Sequence, residues 1–257
     1  MKTDANIPSR LYPDSVDRPR VNPEAYQDLQ PYIDSVVALS RLTYQSLYII
    51  DYHRMNFLYV SDNPLFLCGK RVEEVQQEGY AFYYEHVPSE DIAFLTAVNR
   101  AGFEFFRRQP VEERCSYTIS YNFQLYKEGT SELMLINHRL TPLKLDEEGN
   151  IWLALCIVSL ASTSQRHTAY ITQAYSKNCW QYTPSSGRWR LSETIELSEY
   201  EKAVIRLANQ GLSVSEIAVK INKSEDSVKG YRKSLFVKLD VANISEAIAV
   251  ATEHRLL

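Results

Sequence analysis

The sequence predicts an α+β protein in two parts: a five-stranded antiparallel sheet with helices on one face, followed by an all-α domain of four helices. Three observations carry this. Two short strand-like runs near residue 50 are followed by small helical pieces, and then by three consecutive strand-like runs ending near residue 161. From Leu197 onward, serine start signals alternate with apolar stripes at helical spacing. Residues 227 to 238 contain four cations and no acid.

The elements follow in order. Residues 1 to 23, polar and broken by Pro8, Pro13 and Pro19, read as an extended arm. Tyr26, Leu29, Ile33, Val36, Val37 and Leu39 then suggest a helix despite Pro31, so that 1–44 is an arm and a helix. Leu47 to Ile50 and Phe57 to Val60 form a hairpin through Asp51 to Asn56. Helical pieces are expected at Asn63 to Leu67, Val72 to Gln77 and Ser89 to Phe106. Cys115 to Tyr126, Leu133 to Lys144 and Ile151 to Ala161 are the remaining strands, turned by Lys127-Glu128-Gly129-Thr130 and by Asp146 to Asn150. The segment 162–190 reads as a linker, with a helix over Gln165 to Ser176 and two tryptophans, Trp180 and Trp189, too apolar to be left free and expected to dock one domain against the other or against a second subunit.

In 191–257, Ser198 stands three residues before Glu201 and Ser213 three before Glu216, the spacing at which a serine hydroxyl and a glutamate carboxylate satisfy each other's helix-start N–H groups. Gly211 permits the turn that stops the first helix, and Ser224 caps a third. Val228, Tyr231, Leu235 and Leu239 give that third helix one apolar stripe. Its outward face then holds Ser227, Lys229, Gly230, Arg232, Lys233 and Lys238, a set suited to base edges and phosphates. Local charge carries this reading, because residues 190–257 hold ten Lys or Arg against ten Asp or Glu.

This segment resembles the C-terminal DNA-binding domain of the LuxR family of bacterial transcription regulators, also seen in NarL-type response regulators. The resemblance runs through Leu197-Ser198, Glu201, Val204 to Ala208, Gly211-Leu212-Ser213, Glu216-Ile217-Ala218, Ser227-Val228-Lys229, Tyr231-Arg232, Leu235, Lys238-Leu239 and Ser245-Glu246-Ala247. It implies sequence-specific DNA binding with a contact at the position of Lys229, and together with the outward face of the third helix this gives Ser227, Lys229, Tyr231, Arg232, Lys233 and Lys238 as the DNA-binding set, Lys238 meeting backbone only if the duplex curves toward it. It also implies a fourth helix, here near Ile244 to Glu253, part of whose surface forms a homodimer contact on DNA; Ala247, Ile248 and Ala251 give this helix an apolar seam, at least part of which must cover the three-helix core. The family usually has threonine at Ser227 and histidine at Tyr231, and glycine is common at Asp240. These departures leave the operator sequence open.

Residues 45–161 resemble a PAS sensor domain, through Ile49-Ile50-Asp51, Phe57 to Ser61, Asn63 to Leu67 with Gly69, Val72 to Val75, and His86-Val87-Pro88-Ser89-Glu90-Asp91. Space between sheet and helices would take a small-molecule or protein signal, with Phe66, Tyr80, Phe82, Tyr83, Phe94, Tyr117, Ile119, Tyr121, Ile136, His138 and Trp152 as candidate lining. The competing reading makes these aromatics plain core.

The chain of 257 residues carries 28 Lys or Arg and 32 Asp or Glu, a formal charge of −4. No apolar run spans a bilayer and no signal-peptide core is seen, so a cytoplasmic protein is expected. Cys68, Cys115, Cys156 and Cys179 are too scattered for a metal motif and too few for a disulfide scaffold. No cofactor motif is recognised, and a lone His86 or His138 is not a haem signature. The five histidines occur without H-E-x-x-H, a nucleophile elbow or a phosphate-binding glycine loop, so no catalytic residue is assigned. Glu90 and Asp91 beside His86 read as first-turn charges at a helix start. A protein-interaction adaptor that binds no DNA is the alternative, followed by an enzyme built on the first domain.

Overall fold

The computed structural model describes residues 11–127, 130–192, 195–254 and 256–257. The chain divides into two compact units, Met1–Ala161 with Gln165–Ser192 and Ser162–Ser164 with Glu193–Leu257.

The first unit is built on one antiparallel sheet of eight strands, not five. Its strands are β1 (Ser46–Asp51), β2 (Asn56–Val60), β3 (Tyr117–Tyr126), β4 (Leu133–Leu145), β5 (Ile151–Leu160), β6 (Ala169–Gln173), β7 (Cys179–Thr183) and β8 (Arg188–Leu191). Their order is β2-β1-β5-β4-β3-β6-β7-β8. Between β2 and β3 run α2 (Pro64–Leu67), α3 (Val72–Glu78), α4 (Ala81–His86) and α5 (Ser89–Arg107).

The three additional strands lie in the segment expected to be a linker, where Gln165 to Ser176 was read as helical. Ala169 and Ile171 are buried while Tyr170 and Thr172 are half-exposed, an alternation of period two that only a strand gives. β6 joins the free edge of β3 with Ile119 opposite Ile171. β7 and β8 form a hairpin in which Gly187 takes a left-handed φ of 62° and donates its N–H to the Thr183 carbonyl at 2.9 Å. Trp180 and Trp189, expected to dock one domain against the other or against a second subunit, pack within the first unit: both lie against the Phe105 ring of α5, with centroids at 5.1 and 6.4 Å.

Helices cover both faces of the sheet, where one face had been expected. On one face Tyr48, Ile50, Phe123, Ile136 and Cys156 pack with Phe66, Phe82, Leu95 and Val98 of α2, α4 and α5. The opposite face shows Leu47, Ile49 and Leu153, covered by Leu29 and by Val36 of α1 (Gln30–Leu42). The cause is strand parity: β1 is buried along its whole length, so neighbouring residues need apolar cover on opposite sides. Pro31 does not interrupt α1 because it sits in the first turn, where no N–H donor is required. The part of the N-terminal arm within the described residues is docked as well. Leu11, Tyr12 and Val16 are buried in the larger core, Tyr12 meets Phe103 edge-on at 4.9 Å, and Asn99 donates to the Leu11 carbonyl. Residues 1–10, and Glu128 and Gly129 of the expected turn, lie outside the described residues.

The second unit contains α6 (Glu199–Asn209), α7 (Val214–Lys220), α8 (Glu225–Leu239) and α9 (Ile244–Glu253). Both expected capping boxes form: Ser198 and Ser213 accept from the N–H groups of Glu201 and Glu216, whose carboxylates accept in return. Gly211 closes α6 with φ 85°, and Leu212 N–H bonds back to the Leu207 carbonyl. Val204, Ile205, Ile217, Ala218, Val228, Leu235, Leu239, Ala247 and Ala251 form the shared core. Asp240 caps α8 with φ 51°, the left-handed conformation that explains why glycine suits this position.

Candidate nucleic-acid interface

The sequence builds α8 to be held on one side and free on the other. Ser224 starts it by accepting from Ser227 N–H, and Glu225 and Asp226 occupy the first turn, where negative charge complements the helix dipole. Val228, Leu235 and Leu239 are buried, so the helix is anchored along the predicted stripe. Tyr231, the fourth stripe residue, is half-buried and stacks on Tyr200, with centroids 5.2 Å apart and planes 11° from parallel. Lys223, in the turn before α8, places its ammonium 4.7 Å from the Tyr200 ring centre. Tyr200 and Lys223 were not singled out in the sequence. Their pairing with Tyr231 depends on a helix crossing, and no local spacing reveals it.

The six candidate residues fall into distinct environments. Lys229 is exposed; its ammonium lies 3.1 Å from Asp226 in a surface pair that contributes little and leaves the side chain able to reach elsewhere. Lys233 is also exposed, one turn along the same helix. Arg232 is half-buried, its guanidinium 5.9 Å from the Phe236 ring centre. Ser227 has its hydroxyl 2.9 Å from the Ser224 hydroxyl.

Lys238 stands apart from the other five. Its ammonium donates to Glu201 Oε2 at 2.8 Å and to the Glu196 carbonyl at 3.0 Å. Glu201 is only 3% exposed and also accepts from the Ser234 hydroxyl at 2.7 Å and from Ser198 N–H at 2.7 Å. Burial alone would raise the Glu201 pKa, but the hydrogen bonds from Lys238, Ser234 and Ser198 outweigh it and hold the carboxyl at about 2. One carboxylate thus completes the cap of α6 and ties α8 to it. Lys238 is thus paired within the domain, although its side chain stays 39% exposed.

Residues 196–251 match the family described as bacterial regulatory proteins, luxR family. The C-terminal unit is a LuxR-type helical domain. No curated protein is found to match the chain by sequence. Among solved structures, a phage VqmA in complex with DPO is 16% identical, covering 89% of this chain and 90% of its own with a TM-score of 0.32. VqmA of Vibrio cholerae, described as a dimer in the absence of target DNA, is 17% identical over 87% of this chain and 88% of its own, with a TM-score of 0.33. An RNA-binding light-oxygen-voltage receptor is 12% identical over 81% of this chain and 48% of its own, again with a TM-score of 0.33. Superpositions this loose carry no argument about the present chain.

In the sheet unit, the residues expected to line a ligand space pack on one another. Tyr48 stacks on Phe66 at 4.2 Å, and its hydroxyl reaches both Tyr83 and His138, at 2.6 and 2.5 Å. Tyr48 was missed because one strand residue gives no sign of what faces it across the layers. Burial pushes the His138 pKa down to about 3, so this imidazole is neutral. Trp152 belongs to the opposite face of the sheet, edge-on to Tyr26 at 5.2 Å, and does not join this group. Asp91 is fully buried in the first turn of α5 and accepts from Gln124 N–H at 2.6 Å, Arg166 at 2.8 Å and His167 Nε2 at 2.6 Å. Its pKa is lowered: burial raises it, and the His167, Arg166 and Gln124 hydrogen bonds more than offset that. The carboxylate therefore fastens the approach to β6 onto α5.

Among the described residues, no helix is long and apolar enough to cross a membrane.

Proposed function

We propose that this protein is a cytoplasmic transcription regulator that reads duplex DNA with α8 and is controlled through its N-terminal unit. The observation that carries the reading is the exposed face of α8. Lys229, Arg232 and Lys233 lie there without an intervening acid, on a capped helix inside a segment that matches the luxR family. Such a helix enters a major groove with its early residues at base edges and its flanking cations at phosphates.

In this reading Lys229 and Ser227, in the first two turns, approach the bases and the nearest phosphate. Arg232 and Lys233 hold the backbone, and Tyr231 contributes its hydroxyl edge from the stack on Tyr200. Lys238 stabilises the reading head from within. Lys229→Ala is expected to cost roughly 1 to 3 kcal/mol on the true site and to relax discrimination there. Lys233→Ala is expected to weaken all sequences alike and to reduce the salt slope by about 1. Isotherms on operator and scrambled duplexes at several salt concentrations separate the two. Unchanged affinity on both duplexes in a folded Lys229→Ala variant would remove α8 as the reading helix.

The first unit is proposed as a PAS-like sensory or dimerisation domain, extended by β6, β7 and β8. The strands β2-β1-β5-β4-β3, with α2 to α5 inserted between β2 and β3, are in keeping with the two strands, small helices and three strands that the PAS resemblance implies. A signal bound there acts only if it distinguishes two states of the protein. Homodimerisation through α9 is proposed to use the part of Ile248 left exposed, since Ile248 packs against the domain's core but is only half-buried, whereas Ala247 and Ala251 are wholly buried in it. The reading assigns the chain no catalytic role.

A further inference from the structure

At the ends of α3 and α4, two carboxylates and an imidazole converge. Ligand atoms of Glu78, Glu85 and His86 lie within 4.8 Å of one another. His86 is only 3% exposed, and its Nδ1 stands 3.3 Å from the Tyr126 carbonyl oxygen. A carbonyl only accepts, so Nδ1 carries a hydrogen, and Nε2 is the nitrogen that can offer a lone pair. This is how a metal-binding histidine is oriented: the second ring nitrogen donates to a fixed oxygen, and the first is turned toward the ion.

Among the described residues, two buried polar atoms here have no hydrogen-bond partner: His86 Nε2 and Glu78 Oε2. A buried lone pair left without a partner is costly, and these two belong to the same small cluster. Lys70 is hydrogen-bonded to neither of them. Its ammonium is taken by the other oxygen of Glu78, Oε1 at 2.5 Å, and by Glu85 Oε2 at 2.9 Å. One ammonium against two carboxylates leaves a formal charge of −1 beside the imidazole. A cation that prefers nitrogen and oxygen ligands would complete both the charge and the coordination.

We propose that Glu78, Glu85 and His86 form a site for a divalent transition metal of the zinc type. One imidazole and two carboxylates, with water in the remaining position, are a ligand set that zinc accepts. Glu85, whose side chain is 58% exposed, opens the site to solvent and supplies the route of entry. The bound ion would clamp the end of α3 to the end of α4, and the repulsion of Lys70 would set its affinity. Sequence spacing hides this arrangement. Glu78 and His86 stand on separate helices across the turn at Gly79 and Tyr80, and no motif of fixed period joins them. The proposal does not depend on the DNA-binding reading.

The test uses the full chain, stripped with a chelator and titrated with zinc chloride by calorimetry, with thermal unfolding as a second readout. One zinc per chain is expected, with a rise in Tm. Glu85→Gln and His86→Gln should each weaken binding at least tenfold, and Lys70→Gln should tighten it. Because His86 is buried, Glu85→Gln carries the test if His86→Gln fails to fold. Absence of saturable zinc uptake at micromolar concentration would overturn the proposal, leaving a proton or a water to satisfy the two acceptors. So would uptake that is unchanged in Glu85→Gln and lost in Cys115→Ser, which would place the metal on a thiol.

Discussion

Glu201→Ala is expected to destabilise the C-terminal unit by about 3 kcal/mol, the sum of a lost helix cap at about 1 kcal/mol and lost charge-assisted hydrogen bonds at about 2 kcal/mol. The carboxylate removed is 3% exposed and serves Ser198, Ser234 and Lys238 together. Its pKa gives the loss a pH signature. The folded value of about 2 lies below the ordinary 4.5. The stability it contributes is therefore fully present above about pH 4.5 and disappears as the pH falls toward 2. Denaturant unfolding followed at pH 7 and again near pH 3 checks both statements. The gap between wild type and variant should shrink at the lower pH, and a gap that is the same at both would refute the assignment. Lys238→Met breaks the same contact from the other side. It should lower stability by a smaller amount, because two donors remain on Glu201.

Asp91→Ala is expected to cost the sheet unit about 3 to 5 kcal/mol, the range for removing one member of a buried charged group. Its removal leaves Gln124 N–H, Arg166 and His167 without the acceptor that gathers them. The carboxylate pKa is lowered in the fold, so its contribution is present at neutral pH and fades as acid protonates it. The segment leading into β6 should then loosen from α5. Hydrogen exchange would report this as faster exchange through Ala169–Gln173, the strand that pairs with β3, while β1 and β5 stay protected. Uniform loosening of the whole sheet would mean that Asp91 supports the core at large and has no special role at β6.

What the sequence disclosed depended on the distance over which each signal acts. The helix starts at Ser198, Ser213 and Ser224 were legible because a cap joins residues three apart. The stripe of α8 was legible because helical periodicity repeats within one element. The bond between Lys238 and Glu201 spans 37 positions, and from α8 alone Lys238 looks like one more surface cation. β6, β7 and β8 went unread for another reason. Strands of five, five and four residues offer too few alternations to outweigh the polar, turn-rich stretches between them. The burial of β1 on both faces was visible as a continuous apolar run, yet only pairing with β5 on one side and β2 on the other makes a second covering layer necessary.

The central claim is that α8 presents a sequence-reading face to duplex DNA. Selecting duplexes from a randomised pool with the full-length protein, then measuring anisotropy on the selected and a scrambled duplex across a salt series, tests it most directly. The account predicts enrichment of one motif, bound at least roughly a thousandfold more tightly than the scrambled control. On both duplexes the affinity should fall steeply as salt rises. Equal affinity for both duplexes, or no binding at low salt by a folded protein, would contradict it.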